Sequence, residues 1–251
     1  MKILPIVLLL ASVINVTISL AVSAETMDIN CNKNPPGTLA AAVTRAAPGT
    51  TFYVTGTCQD TLVINADDIT LIGNEGSNKA IITGPFPQDR VIIDGAARTT
   101  IIGFTIEKGL AGITSTSNAS FTLTDVNLSN NIFGVEITQS SSAIFSGTVT
   151  VSGSNVFGLQ VLTGATLVVE ESAQLIIENN FFGAQIAINS TFFTGTDAQI
   201  IARNNTTIGF SVNTGSTGFL FNSTLHTHDN ELDGFDVVSA ANFDADGNSV
   251  I

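Results

Sequence analysis

The hydrophobic pattern of the chain repeats. The apolar run Leu175-Ile176-Ile177 is followed by Glu178-Asn179-Asn180, then by Phe181-Phe182-Gly183 and a second strand-like run, Ala184-Gln185-Ile186. The same succession spans residues 126–137 (Asn130-Asn131, Gly134), 150–161 (Ser154-Asn155, Gly158), 200–212 (Asn204-Asn205, Gly209) and 225–237 (Asp229-Asn230, Gly234). Its second Asn falls at 131, 155, 180, 205 and 230, at intervals of 24, 25, 25 and 25. A fixed period of this size marks a solenoid, in which each lap is one unit that buries its apolar face on its neighbours. Asn suits a sharp turn because it tolerates the left-handed conformation and bonds local backbone. Stacked laps lie roughly 4.8 Å apart, so Asn131, Asn155, Asn180, Asn205 and Asn230 are expected to form one bonded column, as in cross-β stacks. Five unrelated turns would favour the same residues but would not space them so evenly.

A second marker keeps the register. A small-residue turn followed by an apolar residue recurs at Phe121, Phe145, Leu167, Phe193, Phe219 and Phe243, which predicts an apolar, ring-stacking column inside the coil. Ahead of the regular laps, Leu39, Ala42, Val43 and Ala46 share one face at helical spacing. They predict a short helix from Leu39 to about Ala47, capped by Thr38 and stopped by Pro48-Gly49. One helix before an all-β solenoid is expected to cover the open cross-section of the first coil.

The stretch from that helix through Thr51-Phe52-Tyr53-Val54, Thr61-Leu62-Val63-Ile64 and Ile69-Thr70-Leu71-Ile72-Gly73 resembles the leading segment of the pectate-lyase-like right-handed parallel β-helix superfamily. With the later laps the resemblance covers about residues 28–251. It implies an all-β fold, a right-handed parallel β-helix with an N-terminal capping α-helix. It implies little about activity, because many functions share this scaffold. Gln59-Asp60-Thr61-Leu62 matches a short pectin-methylesterase motif but lies ahead of the regular coils, and the other esterase, polygalacturonase and epimerase motifs are absent. No catalytic residue is carried over.

The organisation read from the chain is a signal peptide over 1–24 and one β-helix domain over 25–251, with the helical cap at about 38–47 and regular coils at about 112–251. The leader has Lys2, an apolar stretch from Ile3 to about Leu20 and a small-residue cleavage site, Val22-Ser23-Ala24. An uncleaved anchor is the competing reading, weakened by Asn15, Thr17 and Ser19. No later segment could span a bilayer, so no membrane contact is expected after cleavage. Cys31 and Cys58 are the two cysteines of a chain read as secreted or periplasmic, and they are expected to pair. Sequons at Asn118, Asn127, Asn189, Asn204, Asn205 and Asn222 would matter only in a eukaryotic host.

Charge narrows the partners. With 8 Lys+Arg against 21 Asp+Glu, the formal charge of -13 excludes nucleic acid and anionic membrane surfaces, which need a basic face. The acidity is compatible with calcium, though no cofactor is indicated. Asp244-Ala245-Asp246-Gly247-Asn248 has the opening of a calcium loop without its downstream Glu, and also reads as a turn.

Two outward columns carry the candidate chemistry. Two residues before each Asn stand Ser129, Gly153, Glu178, Arg203 and His228. Glu178, Arg203 and His228 are the candidate catalytic residues. A guanidinium could hold an acidic sugar or act as base, and an imidazole could shuttle a proton. The same residues also read as a surface charge ladder of little energetic consequence. The second column, Thr114, Glu136, Gln160, Gln185, Ser211 and Asp236, is a polar stripe able to bond a polysaccharide or simply to meet water. His226 and His228 alternate on one strand and so share a face, as metal ligands do, but two histidines alone do not specify a metal. An ice-binding solenoid would need a regular Thr-x-Thr column, and none is seen in the sequence.

The function expected is a secreted β-helix protein with no identifiable active site, surface-structural or polysaccharide-contacting. The alternative is a lyase or epimerase on acidic polysaccharide. Beyond Phe243 no cap is predicted, so the chain is read as a fragment, as closed by a partner, or as self-associating end to end.

Overall fold

The computed structural model describes residues 24–73, 79–238 and 241–245. Residues 1–23 and those after 245, on which the expected signal peptide and uncapped end rest, lie outside the described residues. The chain winds as a parallel β-solenoid with three faces. Sheet A has ten strands, from Thr26–Asn30 to Asn242–Ala245. Sheet B has eight, from Thr57–Gln59 to Thr224–His228, and sheet C has eight, from Leu62–Ile64 to Phe235–Val237. From Thr51 onward the chain visits A, then B, then C, in every lap.

Why these residues wind this way follows from a period-two pattern on all three faces. In the strand Gln174–Glu178, Leu175 and Ile177 are buried while Gln174, Ile176 and Glu178 face outward. Each buried residue sits over its equivalent one lap on, as Leu175 pairs with Ile200 and then Leu225. One continuous apolar core results, running from Ile29 to Leu225. The later laps advance by 25 residues, as in Gln174 over Gln199.

The helix spans Thr38–Thr44, shorter than expected, and buries Leu39 and Val43. Thr38 is not its cap. Gly37 holds that place in the left-handed conformation, while the Thr38 hydroxyl bonds the Pro35 carbonyl. The carboxylate that meets the helix start comes from Asp60, which accepts from the Ala40 N–H at 3.4 Å. Burial pushes the Asp60 carboxyl up, and bonds from Ala40, Gly37 and Leu39 offset part of that. Cys31 and Cys58 form a disulfide, tying the first strand of sheet A to the first strand of sheet B.

The expected inner Phe column is divided between two faces. Phe121 and Phe145 point inward but in separate columns, Phe121 over Ala143 and Phe145 over Leu123, whereas Phe193 and Phe219 point outward from sheet A, stacked at 5.0 Å with 7° between planes. Phe192, one residue earlier, takes the inner place and meets Phe210 at 5.1 Å. The frame slips by two residues at Phe145, since Leu167 lies over Ala143, and by one between Leu167 and Phe193, where two adjacent phenylalanines offer both phases.

Candidate functional site

The corner between sheets B and C sets the site. In each lap one residue there has positive φ: Asn130, Gly153, Asn179, Asn204 and Asp229. The residue after it turns inward. In four laps this is the expected Asn: Asn131, Asn180, Asn205 and Asn230. In the remaining lap it is Ser154, and Asn155 lies exposed on the corner. Gly153 explains the displacement. It takes the left-handed place at no steric cost, so the turn is made one residue earlier than the Asn spacing indicates.

The bonds follow this corrected register. Asn180 Nδ2 donates to Asn205 Oδ1 at 3.1 Å, and Asn205 Nδ2 donates to Asn230 Oδ1 at 2.9 Å. The same Oδ1 atoms accept from the backbone N–H of Asn180 and of Asn205. Ser154 interrupts the run: its N–H donates to Asn180 Oδ1 at 2.9 Å, but its buried hydroxyl has no partner. Asn131 instead bonds backbone, accepting from Gly109 N–H and donating to the Ile106 carbonyl. The glycine just beyond each Asn is required by close packing. A Cβ on Gly183 would strike the Gly209 carbonyl and the Asn205 amide.

This corner fixes the last outward position of sheet B. Ser129, Ser152, Glu178, Arg203 and His228 are successive Cα partners there, with Glu107 next to Ser129. Ser152 therefore replaces the expected Gly153. Two of the three candidate catalytic residues meet directly. Arg203 Nε and Nη2 both reach Glu178 Oε2, at 2.8 and 2.7 Å. His228 is the next residue in the column, but its Nδ1 pairs with Asp229 Oδ2 at 2.8 Å. The Arg203 and His228 side chains are respectively 40% and 48% exposed, so the Glu178–Arg203 contact contributes only about 0–1 kcal/mol to stability.

Below Glu178 the outer face of sheet B forms a shallow groove of about 510 Å³, lined by Ile81, Thr105, Asn127, Thr150, Ser152 and Glu178, with Lys79 at its far end. Lys79 Nζ donates to the Asp125 carbonyl at 2.6 Å, which holds its charge beside the groove. Sequence reasoning missed this groove. Its polar residues belong to laps whose spacing is 22 and 23, between Thr105, Asn127 and Thr150, so a 25-residue frame does not align them.

The second expected column is continuous on sheet C: Thr114, Glu136, Gln160, Gln185, Ser211 and Asp236 are successive partners. Gln160 Nε2 donates to Gln185 Oε1 at 3.0 Å. Desolvation, with the Asp89 charge as a lesser cause, pushes the Glu136 carboxyl above its ordinary 4.5. His226 lies in the outward column of sheet B over Ile201. Among the described residues, three potential ligand atoms come within 4.8 Å of one another only at Cys31, Cys58 and Asp60, where the two sulfurs are spent in the disulfide. The expected calcium-loop residues Asp246, Gly247 and Asn248 lie outside the described residues.

The comparisons place this architecture. The chain is similar to an alginate lyase from Paenibacillus sp. str. FPU-7, with a TM-score of 0.55 and 16% identity over 90% of this chain and 95% of that one. A pectin methylesterase mutant in complex with a hexasaccharide aligns at a TM-score of 0.45 and 13% identity, over 88% of this chain and 89% of that one. No protein-family model matches the chain, and no curated protein matches it. The likeness is one of fold, a parallel β-helix.

Proposed function

We propose that this is an extracytoplasmic β-helix protein that contacts polysaccharide along the outer face of sheet B. The observation that carries the reading is the groove from Lys79 to Glu178, where Thr105, Asn127, Thr150 and Ser152 offer hydroxyl and amide groups in successive laps. Such groups match the hydroxyls of a sugar chain lying along the axis. The alginate lyase of similar fold acts on a polysaccharide, as its name states, which adds support by analogy. The Cys31–Cys58 disulfide favours an oxidising compartment, and the leader is read as the signal that delivers the chain there. In this reading the helix Thr38–Thr44 caps the first coil, which accounts for the burial of Leu39 and Val43. Among the described residues no helix is long and apolar enough to cross a membrane.

Retention of the purified protein on a panel of immobilised neutral and uronic acid polysaccharides tests the contact. The expected result is retention that Thr150→Arg, which fills the groove, abolishes while the fold persists. Equal retention of Thr150→Arg removes the groove from the reading.

A second reading, a lyase or epimerase on acidic polysaccharide, draws on the meeting of Glu178 with Arg203 and the neighbouring His228. Arg203 would hold a uronate through the Nη1 edge that Glu178 leaves unengaged, and His228 would move a proton with Asp229 orienting its ring. Incubation with polyuronates and detection of unsaturated product tests it. Absence of product from the wild type, or full activity of Arg203→Ala, removes it.

A further inference from the structure

Sheet A has an outer face unlike the other two. From the strand Thr51–Thr55 to the strand Thr217–Leu220, no outward side chain on this sheet is charged. Sheets B and C carry Glu107, Glu178, Arg203, Glu136 and Asp236 on theirs. Acidic groups on sheet A stand only on its end strands, at Asp28 and Asp244. In a chain of formal charge -13 such an exclusion is a property of the face.

What occupies the face is regular. Thr26, Thr51, Thr70, Thr100 and Thr122 are successive partners on five adjacent strands. Where that column turns apolar, at Ile144, Val168, Phe193 and Phe219, a second hydroxyl column runs beside it: Ser120, Ser142, Thr166, Thr191 and Thr217. Each lap from Ser120 to Phe219 thus presents one hydroxyl and, two residues on, one methyl-bearing or aromatic group. The stacked rings of Phe193 and Phe219 keep the lap spacing at 5.0 Å. At the margin, Arg98 is engaged by both Asp68 oxygens, at 2.6 and 2.7 Å.

We infer that the outer face of sheet A binds the surface of ice. Outward groups recur at roughly 4.8 Å across strands and at about 6.6 Å along them, a two-dimensional lattice fixed by the backbone. Threonine on a strand is stiff at χ1, so its hydroxyl and methyl stay in register without an ordering cost at binding. The hydroxyls of Thr70, Thr100, Thr122, Thr166, Thr191 and Thr217 have no partner among the described residues, so each offers one donor and two acceptor positions to water. The methyls between them restrict the orientation of the first water layer. A charge would hold its own hydration shell and break the array, which accounts for the lack of outward charge on the strands between Thr51–Thr55 and Thr217–Leu220. The inference does not rest on the polysaccharide reading, which concerns another face.

The test is the freezing behaviour of the full chain. Nanolitre osmometry is expected to show a gap between melting and freezing temperatures with faceted crystals, and the protein should be taken up into a growing ice hemisphere. The double variant Thr122→Lys/Thr166→Lys should lose both effects while keeping its circular dichroism and melting temperature. Asn155→Lys, at the exposed corner outside all three faces, should retain both. A wild type excluded from ice to the same extent as an inert protein overturns the inference. So does a double variant that folds and still binds ice. A wild type that pairs in sedimentation, parts on the double substitution and ignores ice assigns the face to a second copy, and likewise overturns it.

Discussion

At the scale of the residue, the corner between sheets B and C decides most. Asn205 accepts two bonds at Oδ1 and donates two from Nδ2, three of them buried and the one to Asn230 part-buried. Removing it strands the Asn180 donors and the Ile177 carbonyl, and an unmet buried polar group costs about 1–3 kcal/mol. Asn205→Ala should therefore lower the urea-unfolding free energy by about 3 kcal/mol or more. Asn155→Ala, exposed on the same corner two laps earlier, should change it by no more than about 0.5 kcal/mol. Equal effects would mean that the two positions are equivalent after all. Glu136 allows a test by pH. Its raised value means that the folded chain binds the proton more tightly than the unfolded chain, so its contribution falls as pH rises through the window between 4.5 and the raised value. Asp68 and Asp94, lowered chiefly by side-chain bonds from Arg98 and from Ser117, act in the opposite sense and lose their contribution in acid. Glu136→Gln isolates the first effect. It should be more stable than the wild type at neutral pH, and the advantage should fade below the ordinary glutamate range in paired denaturation curves.

At the scale of the element, strands and corners were legible where the period is regular and obscure where it is not. Buried pairs such as Leu175 over Ile200 repeat at the 25-residue spacing that the chain displays openly. Asn155 misled because a glycine can make the left-handed turn that Asn makes in the neighbouring laps, and the two substitute for each other without marking which residue turns. The Phe column misled because Phe192-Phe193 satisfies either phase and only stacking against Phe210 and Phe219 separates them. The groove on sheet B was hidden by laps of 22 and 23 residues, and the pairing of His228 with Asp229 depends on side-chain directions that spacing does not encode. The disulfide was legible from two cysteines in a chain read as secreted. Its consequence belongs to the first elements, since Cys31 and Cys58 lie 27 residues apart and enclose the helix. Loop-closure entropy for that span gives about 3–4 kcal/mol. Reduction should lower the unfolding free energy by about that amount. The helix and the strand Thr26–Asn30 should gain protease sensitivity before any later coil does. A reduced protein whose first cleavages fall in the later coils would place the bridge's effect elsewhere.

At the scale of the whole molecule, three faces with different chemistry share one core. Sheet A carries no outward charge between its two end strands, sheet B carries the Glu178–Arg203 pair above a hydroxyl-lined groove, and sheet C carries a half-buried polar column. That partition was hidden because its clearest member, the column from Thr26 to Thr122, advances by 25, 19, 30 and 22 residues. Corners of unequal length absorb these differences while the strands remain paired, so positions that coincide in space drift out of phase in the sequence. Stacking also makes stability local, since each coil contacts only its neighbours. The fully buried core residues end at Leu225, whereas in the last described strands Phe235 and Phe243 are only partly buried and His226, His228 and Val237 are exposed. Local opening should therefore become easier toward Asn242–Ala245. Hydrogen exchange followed by mass spectrometry should find the slowest amides in the strands between Ser120 and Val212, where the inward residues are buried. The strands Thr224–His228, Phe235–Val237 and Asn242–Ala245 should exchange faster, in that order of increasing rate. Uniform protection across all coils would mean that the solenoid opens as one cooperative unit, and that its ends are held by contacts beyond stacking.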